Sequence, residues 1–292
     1  MFEKVLVAMD FSIYSQHILD NVPGIPGIRE VVLLHVVDGS QPSRRGWVFE
    51  PQIENAKLLM AEKKVALVHS GNGVQLNVNV LVTAITQGNI PETILKTAEE
   101  HDVSLIVVGS RGKNPIRELL LGSVSSSVVR HAKTNVLVLH FNPLQDDTDT
   151  PPCPPRRDLF SEVLVPTDFS DSAGKAFSLV KTIPGLQKAI LLNVVSRGET
   201  HEEIEGFVSD AQSKLEAMRK ECDEGVAVTT HVRVGDPAEK IISVAHDDDV
   251  SLIAMSAFGT GWLRETLLGS TTFTVVRKTK RPVLVIRTPA GK

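Results

Sequence analysis

The chain has 292 residues, 42% of them apolar and 23% charged, with a net charge of −4. That length suits two average domains, and the apolar share builds a real core and excludes a disordered chain. A mildly acidic chain with 4% aromatics and one Tyr lacks the charge and stacking signatures of a nucleic-acid binder, and it offers no basic surface to an anionic membrane.

Met1–Val7 passes straight into an apolar stretch, without the basic end and cleavage site of a secretory signal, so none is expected. No apolar run reaches the ~18 residues of a membrane span. Two cysteines, Cys153 and Cys222, are too few for a disulfide framework or a thiolate zinc site. The composition suits a reducing cytoplasm.

Residues 4–9 read as a buried strand. Ser12 or Ser15 then caps a helix running towards Asn21, stopped by Pro23-Gly24 and Pro26-Gly27. Residues 30–37 are nearly all apolar, as in a strand covered on both faces. Ile53, Ala56, Met60, Leu67 and Val68 keep helical spacing. Gly71-Asn72-Gly73 turns the chain into a third strand at 75–82. Asn89 and Glu92 form a helix start, in which the Glu bonds back to the cap. A fourth strand at 103–108, a helix at 123–132 and a fifth strand at 136–140 complete the half.

The second half repeats the first. Val5-Leu6-Val7-Ala8-Met9-Asp10-Phe11-Ser12 returns as Val163-Leu164-Val165-Pro166-Thr167-Asp168-Phe169-Ser170, and Leu33-Leu34-His35-Val36-Val37 as Leu191-Leu192-Asn193-Val194-Val195. Residues 102–123 return as 249–270 with 12 identities in 22 positions. Asp236-Pro237-Ala238-Glu239 repeats the helix start, with Pro237 where its missing N–H costs nothing, and 282–286 repeats the last strand. Such a period is a domain duplication, since solenoid repeats are ~20–50 residues. The expected domains are 1–141 and 159–292. They are joined by an extended linker, 142–158, with five prolines and four aspartates. Cys153 lies in that linker as an incidental thiol.

Strands alternating with helices imply two tandem doubly wound α/β domains, each with a five-stranded parallel sheet. Each closing strand is short and apolar, a hazard at a sheet edge unless covered. The two edges are expected to pair around a pseudo-two-fold axis.

The sharpest local feature is Gly109-Ser110-Arg111-Gly112, nine residues, then Gly122-Ser123-Val124-Ser125. Glycines where a buried strand ends and a helix begins let backbone approach a ligand, and free N–H groups at the helix start favour an anion. Ser123 and Ser125 add hydroxyl donors. Arg111, Lys113 and Arg117 add positive charge. This is the anatomy of a phosphate site at the carboxyl end of a sheet. Gly259, Gly269 and Ser270 repeat it, which argues against a turn of structural use alone. Asp10 and Asp168 end the first strand of each half. A carboxylate there repels phosphates, so it faces the nucleoside end, with helix capping as the competing role. There is no Walker A motif and no G-x-G-x-x-G. His201-Glu202-Glu203 lacks the second His of a zincin, and no Cys/His or Ser/His/Asp set suggests a nucleophile. No metal site is expected.

The pattern G-x-x-G-x9-G-[ST], with an Asp ending strand 1 and an apolar closing strand, resembles the universal stress protein family, in tandem form and over nearly the whole chain outside the linker. The resemblance implies a sheet of the adenine nucleotide α-hydrolase-like type, ordered 3-2-1-4-5, with ATP or AMP bound where the order reverses. By it, the Asp and a valine after strand 2 hold adenosine: Asp10 and Val36, and Asp168 and Val194. The motif and its following residues hold ribose and phosphates: Gly109, Arg111, Gly112, Gly122, Ser123, Val124 and Ser125 in the first copy, and Gly259, Gly269, Ser270, Thr271 and Thr272 in the second. The second copy departs from the pattern at Ser256, Ala257 and Phe258, loses the counterparts of Arg111 and Lys113, and gains a bulky Phe and Trp262. The first copy is therefore expected to bind ATP more tightly, the second to suit adenosine or AMP.

The expectation is a cytoplasmic, adenine-nucleotide-binding stress-response regulator. Hydrolysis is at most slow, with self-phosphorylation on Ser123 or Ser125 as a family possibility, and Mg²⁺ arrives on the ATP phosphates. The apolar closing strands suggest a homodimer, and a protein partner is expected but not named by the sequence. The alternative is a nucleotide-independent protein-interaction scaffold. An ATP-activating enzyme is disfavoured, because Asp10-Phe11-Ser12-Ile13 lacks the glycines of a pyrophosphate loop.

Overall fold

The computed structural model describes residues 1–38, 50–70, 76–85, 89–110, 121–140, 159–259 and 268–287. The chain divides into two compact units, Met1–Arg157 and Asp158–Lys292. The expected turn at Gly71-Asn72-Gly73, the linker 142–158 and Cys153 lie outside the described residues.

In the first unit the order is β1 (Lys4–Met9), α1 (Ile13–Asn21), β2 (Glu30–Asp38), α2 (Glu50–Ser70), β3 (Asn77–Ile85), α3 (Ile90–Glu100), β4 (Leu105–Gly109), α4 (Ser123–His131) and β5 (Asn135–Leu139). Every pairing within its sheet is parallel, in the order β3-β2-β1-β4-β5. The second unit runs β6 (Glu162–Pro166), α5 (Asp171–Lys181), β7 (Lys188–Val195), α6 (His201–Arg219), β8 (Ala227–Val234), α7 (Pro237–Asp247), β9 (Leu252–Ser256), α8 (Ser270–Lys278) and β10 (Val283–Ile286). Its order is β8-β7-β6-β9-β10, again parallel. The doubly wound α/β reading is the observed fold, once in each unit.

The cores follow from composition. Val5, Leu6 and Val7 of β1, and Val163, Leu164 and Val165 of β6, are wholly buried, as central parallel strands covered by helices on both faces must be. α2 buries Ala56, Met60 and Leu67, whereas Val68 is 48% exposed and faces away from that core. The helix starts behave as their sequences direct. Ser12, Asn89, Ser170 and Asp236 each accept a backbone N–H from three residues on, satisfying one of the unpaired donors of a first turn. β3 begins two residues later than the periodicity suggests and runs on to Ile85, because its ladder follows β2 to Asp38↔Ile85.

Among the described residues, no helix is long and apolar enough to cross a membrane. No group of three or more His, Cys, Asp or Glu among them is placed to hold a metal ion.

Candidate functional site

The crevice forms where strand order reverses. β6 pairs with β9 only at Val163↔Leu252 and Leu164↔Ile253, yet β6 continues to Pro166 and β9 to Ser256. Beyond the last pair the strands part, and the opening lies at their carboxyl ends, where open α/β sheets bind ligands. β1 and β4 part in the same way after Val7↔Val107.

The chain leaves β6 through a tight turn. Ser170 donates from its N–H (3.1 Å) and its hydroxyl (2.6 Å) to Asp168 Oδ1. Ser12 does the same to Asp10 Oδ1, at 3.0 and 2.6 Å. Between each pair sits a phenylalanine with positive φ, Phe11 at 60° and Phe169 at 61°. A bulky residue in that region is strained, and the Asp–Ser bonds hold it there in both units. The Asp–cap competition is thereby decided. Ser12 and Ser170 cap the helices, and the aspartates brace the caps from outside.

The opposite side of the crevice is built from strand and helix ends. Gly109 is the last residue of β4 and Gly122 the N-cap of α4, with no side chain capping it. Gly122 N–H donates to Ser110 O (2.7 Å), and Ser125 Oγ donates to Gly109 O (2.6 Å). Ser123 is exposed and Val124 half-buried on the first turn, whereas Ser125 is buried on that carbonyl. Its hydroxyl therefore ties helix to strand. Arg111 and Gly112, with Lys113 and Arg117, lie outside the described residues.

The second unit repeats this frame. Gly269 caps α8 and donates to Ala257 O (2.8 Å), and Thr272 Oγ1 donates to Ser256 O (2.9 Å). Thr272 is thus the counterpart of Ser125. Ser270 is exposed and Thr271 half-buried on the same first turn. Ser256, which stands where the first copy has a glycine, turns its hydroxyl onto Phe258 O (2.7 Å). Ser172 Oγ binds the same carbonyl at 2.9 Å and ties α5 to this loop.

A cavity of about 690 Å³ opens here, within the range of small-molecule sites. Asp168, Val194, Gly259, Gly269, Ser270, Thr271 and Thr272 all line it. The structure thus brings together every second-copy residue expected to bind. The valines need one correction. Val36 and Val194 lie inside β2 and β7, not after them. The β1–β2 ladder ends at Met9↔His35 and the β6–β7 ladder at Pro166↔Leu192, while β3 and β8 carry the outer strands further. Each valine is therefore past the end of the central strand, with its inner edge towards the crevice.

Sequence reasoning missed several cavity residues. Arg197, after β7, and Lys214, on α6, bring two cations to the lining, although the second-copy loop has lost the counterparts of Arg111 and Lys113. Lys214 pairs with Asp210 (2.8 Å) and lies 5.3 Å from the Phe169 ring centre, a cation–π distance. Nothing local in α6 signals this. Asn193 also lines the cavity and was legible, as a polar residue inside an apolar strand. Phe258, which lines the cavity, has the Arg287 guanidinium 5.1 Å from its ring centre, and burial pushes the pKa of that guanidinium down to about 10.

Comparison with known proteins agrees with this frame. The family model of the universal stress protein family matches residues 1–140 and 160–287. Universal stress protein MJ0577 of Methanocaldococcus jannaschii is 32% identical over 155 residues, 44% of this chain and 96% of that protein. Universal stress protein YxiE of Bacillus subtilis is 34% identical over 161 residues, 48% of this chain and 99% of that protein. The crystal structure of a universal stress protein from Archaeoglobus fulgidus matches over 100% of this chain and 99% of its own, with a TM-score of 0.72 and 24% identity, a likeness of fold. With two such domains in one polypeptide, the chain belongs to the universal stress protein family as a tandem member.

Proposed function

We propose that this chain is an adenine-nucleotide-binding regulator of the stress response, acting in the cytoplasm as a homodimer and signalling nucleotide to a protein partner. The observation that carries this reading is the cavity at the strand crossover of the second unit. Its lining holds the carboxylate of Asp168 and an uncapped helix N-terminus, Gly269–Thr272. The N–H groups of α8 suit phosphate. Asp168 suits a hydroxyl or amine of the nucleoside, and the aromatic and apolar lining suits a base.

The donor set divides the work between units. The second copy has Phe258 and Thr260 in place of Arg111 and Lys113, so the first unit is the tighter ATP site and the second suits AMP. Mg²⁺ enters on the ATP phosphates and needs no cage of protein ligands. Binding is the activity, with hydrolysis at most slow. Regulation then rests on different affinities of two conformations for the nucleotide.

The test is to denature the purified protein and identify any released nucleotide by chromatography and mass. AMP or ATP at one or two per chain is the expected result. No released nucleotide, together with no thermal stabilisation by millimolar AMP or ATP, overturns the reading and favours a nucleotide-independent scaffold.

A further inference from the structure

Asn193 is 9% exposed, on β7, and it lines the cavity. Its Nδ2 donates to Thr167 O at 2.8 Å. A carbonyl only accepts, so this bond settles which way the amide points: nitrogen to Thr167, oxygen away from it. Among the described residues nothing donates to Asn193 Oδ1. An amide oxygen that accepts no bond from the protein is left to water or to a ligand. This one borders an open cavity, where a ligand can supply the donor.

Topology says which end of a ligand it meets. The phosphate-binding terminus of α8 follows β9, on one side of β6. Asn193 is on β7, on the other side, one residue past the last β6–β7 pair. Two strand spacings, roughly 10 Å, separate the two strands. A nucleotide with its phosphate at α8 and its ribose near Asp168 therefore carries its base towards Asn193.

We infer that Asn193 determines base specificity in the second unit, its Oδ1 accepting a hydrogen bond from the exocyclic amine of adenine. This rests on the reading of that cavity as an adenine-nucleotide site. Hypoxanthine and guanine place a carbonyl oxygen at the same ring position. Two acceptors then face each other and Asn193 Oδ1 stays unpaired, the situation in which polar sites reject an analogue most strongly. The first unit makes the equivalent bond with a different side chain, His35 Nδ1 donating to Met9 O at 2.7 Å. The same anchoring therefore occurs twice with different groups.

The experiment uses the full chain carrying Gly122→Val, expected to silence the first unit, and titrates AMP and IMP by calorimetry. The expected result is AMP bound at least about tenfold more tightly than IMP. Adding Asn193→Leu brings AMP down to the affinity of IMP and leaves IMP unweakened, whereas general damage to the cavity weakens both. Asn193→His, which keeps a donor for Thr167 O, retains the AMP preference at mildly alkaline pH. Equal affinity for AMP and IMP overturns the inference, and this comparison holds even if Asn193→Leu fails to fold. A preference for AMP that survives Asn193→Leu overturns it too. If neither nucleotide binds, the adenine-nucleotide reading of the second unit falls first, and the inference with it.

Discussion

A methyl group placed on Gly259 would lie 2.5 Å from Asp168 Oδ2. The loop after β9 and the carboxylate after β6 thus meet at a distance that only a residue without a side chain permits. Gly259→Ala is expected to push the Asp168 carboxylate aside and weaken AMP binding in the second unit by roughly tenfold or more, the cost of one charge-assisted hydrogen bond. The loop is at the rim, so the melting temperature should change little. Calorimetric titration beside a thermal melt checks this, and an unchanged Kd would show that the carboxylate does not touch the nucleotide.

Asp168 has two jobs that two substitutions separate. Its Oδ1 accepts from the N–H and hydroxyl of Ser170, while the carboxylate borders the cavity. Asp168→Asn keeps an oxygen for Ser170 but turns an NH₂ donor towards the ligand's own donor. It should fold like the wild type and bind nucleotide poorly. Asp168→Ala loses both roles and should also cost about 1 kcal/mol of stability through the weakened turn. Urea denaturation and nucleotide titration of the pair distinguish the two effects.

The two N-cap glycines are not equivalent. A Cβ on Gly122 would meet Ser110 O at 3.6 Å, an ordinary contact, whereas one on Gly269 would lie 3.3 Å from Ala257 O and 3.8 Å from Phe258 Cα. Both glycines have negative φ, so backbone conformation does not demand glycine. Gly122→Ala and Gly269→Ala share the small cost of alanine as a cap. Gly269→Ala is expected to cost roughly 1 kcal/mol more, because backbone must shift to admit the methyl. Chemical denaturation of the two variants should show this difference.

Burial raises the Cys222 thiol above its ordinary pKa, with Glu221 and Asp223 adding to the rise and Lys181 opposing it. The thiolate is the reactive form, so in a Cys153→Ser background the folded protein should react with iodoacetamide at neutral pH more slowly than the urea-unfolded chain. The sign for stability follows from the same shift. The folded state holds this proton more tightly, so the contribution is complete at neutral pH. It is lost as pH rises from the ordinary thiol value through the raised one. Faster alkylation of the folded form would contradict this.

Much of the architecture was legible because it is written in local chemistry. The run from Lys4 to Met9, the Ser12 and Asn89 caps, and the glycine that ends β4 each act through neighbours in sequence. The duplication made each reading checkable twice. Less legible was Val68, which keeps the helical spacing of Ala56, Met60 and Leu67 and yet faces away from them. Spacing shows that a helix has apolar residues, but only packing shows which of them are covered. The extents of β2 and β7 were likewise set by partners, β3 and β8, far away in the chain.

The sequence by itself determined the duplicated α/β fold, the aspartate at the end of each first strand, and the glycine and hydroxyl residues at each helix start. These depend on residue type at short spacing, where propensity, capping and backbone freedom act directly. Only the tertiary structure decided which groups share one cavity. It carried Lys214 from α6 and Arg197 from the end of β7 to a site whose own loop has lost the counterparts of Arg111 and Lys113. It also turned the Asn193 amide so that an oxygen, not a nitrogen, is left for a ligand. The physical reason is that a side chain's direction and partners are set by strands and helices packed against it from distant parts of the chain, and periodicity carries no record of those neighbours.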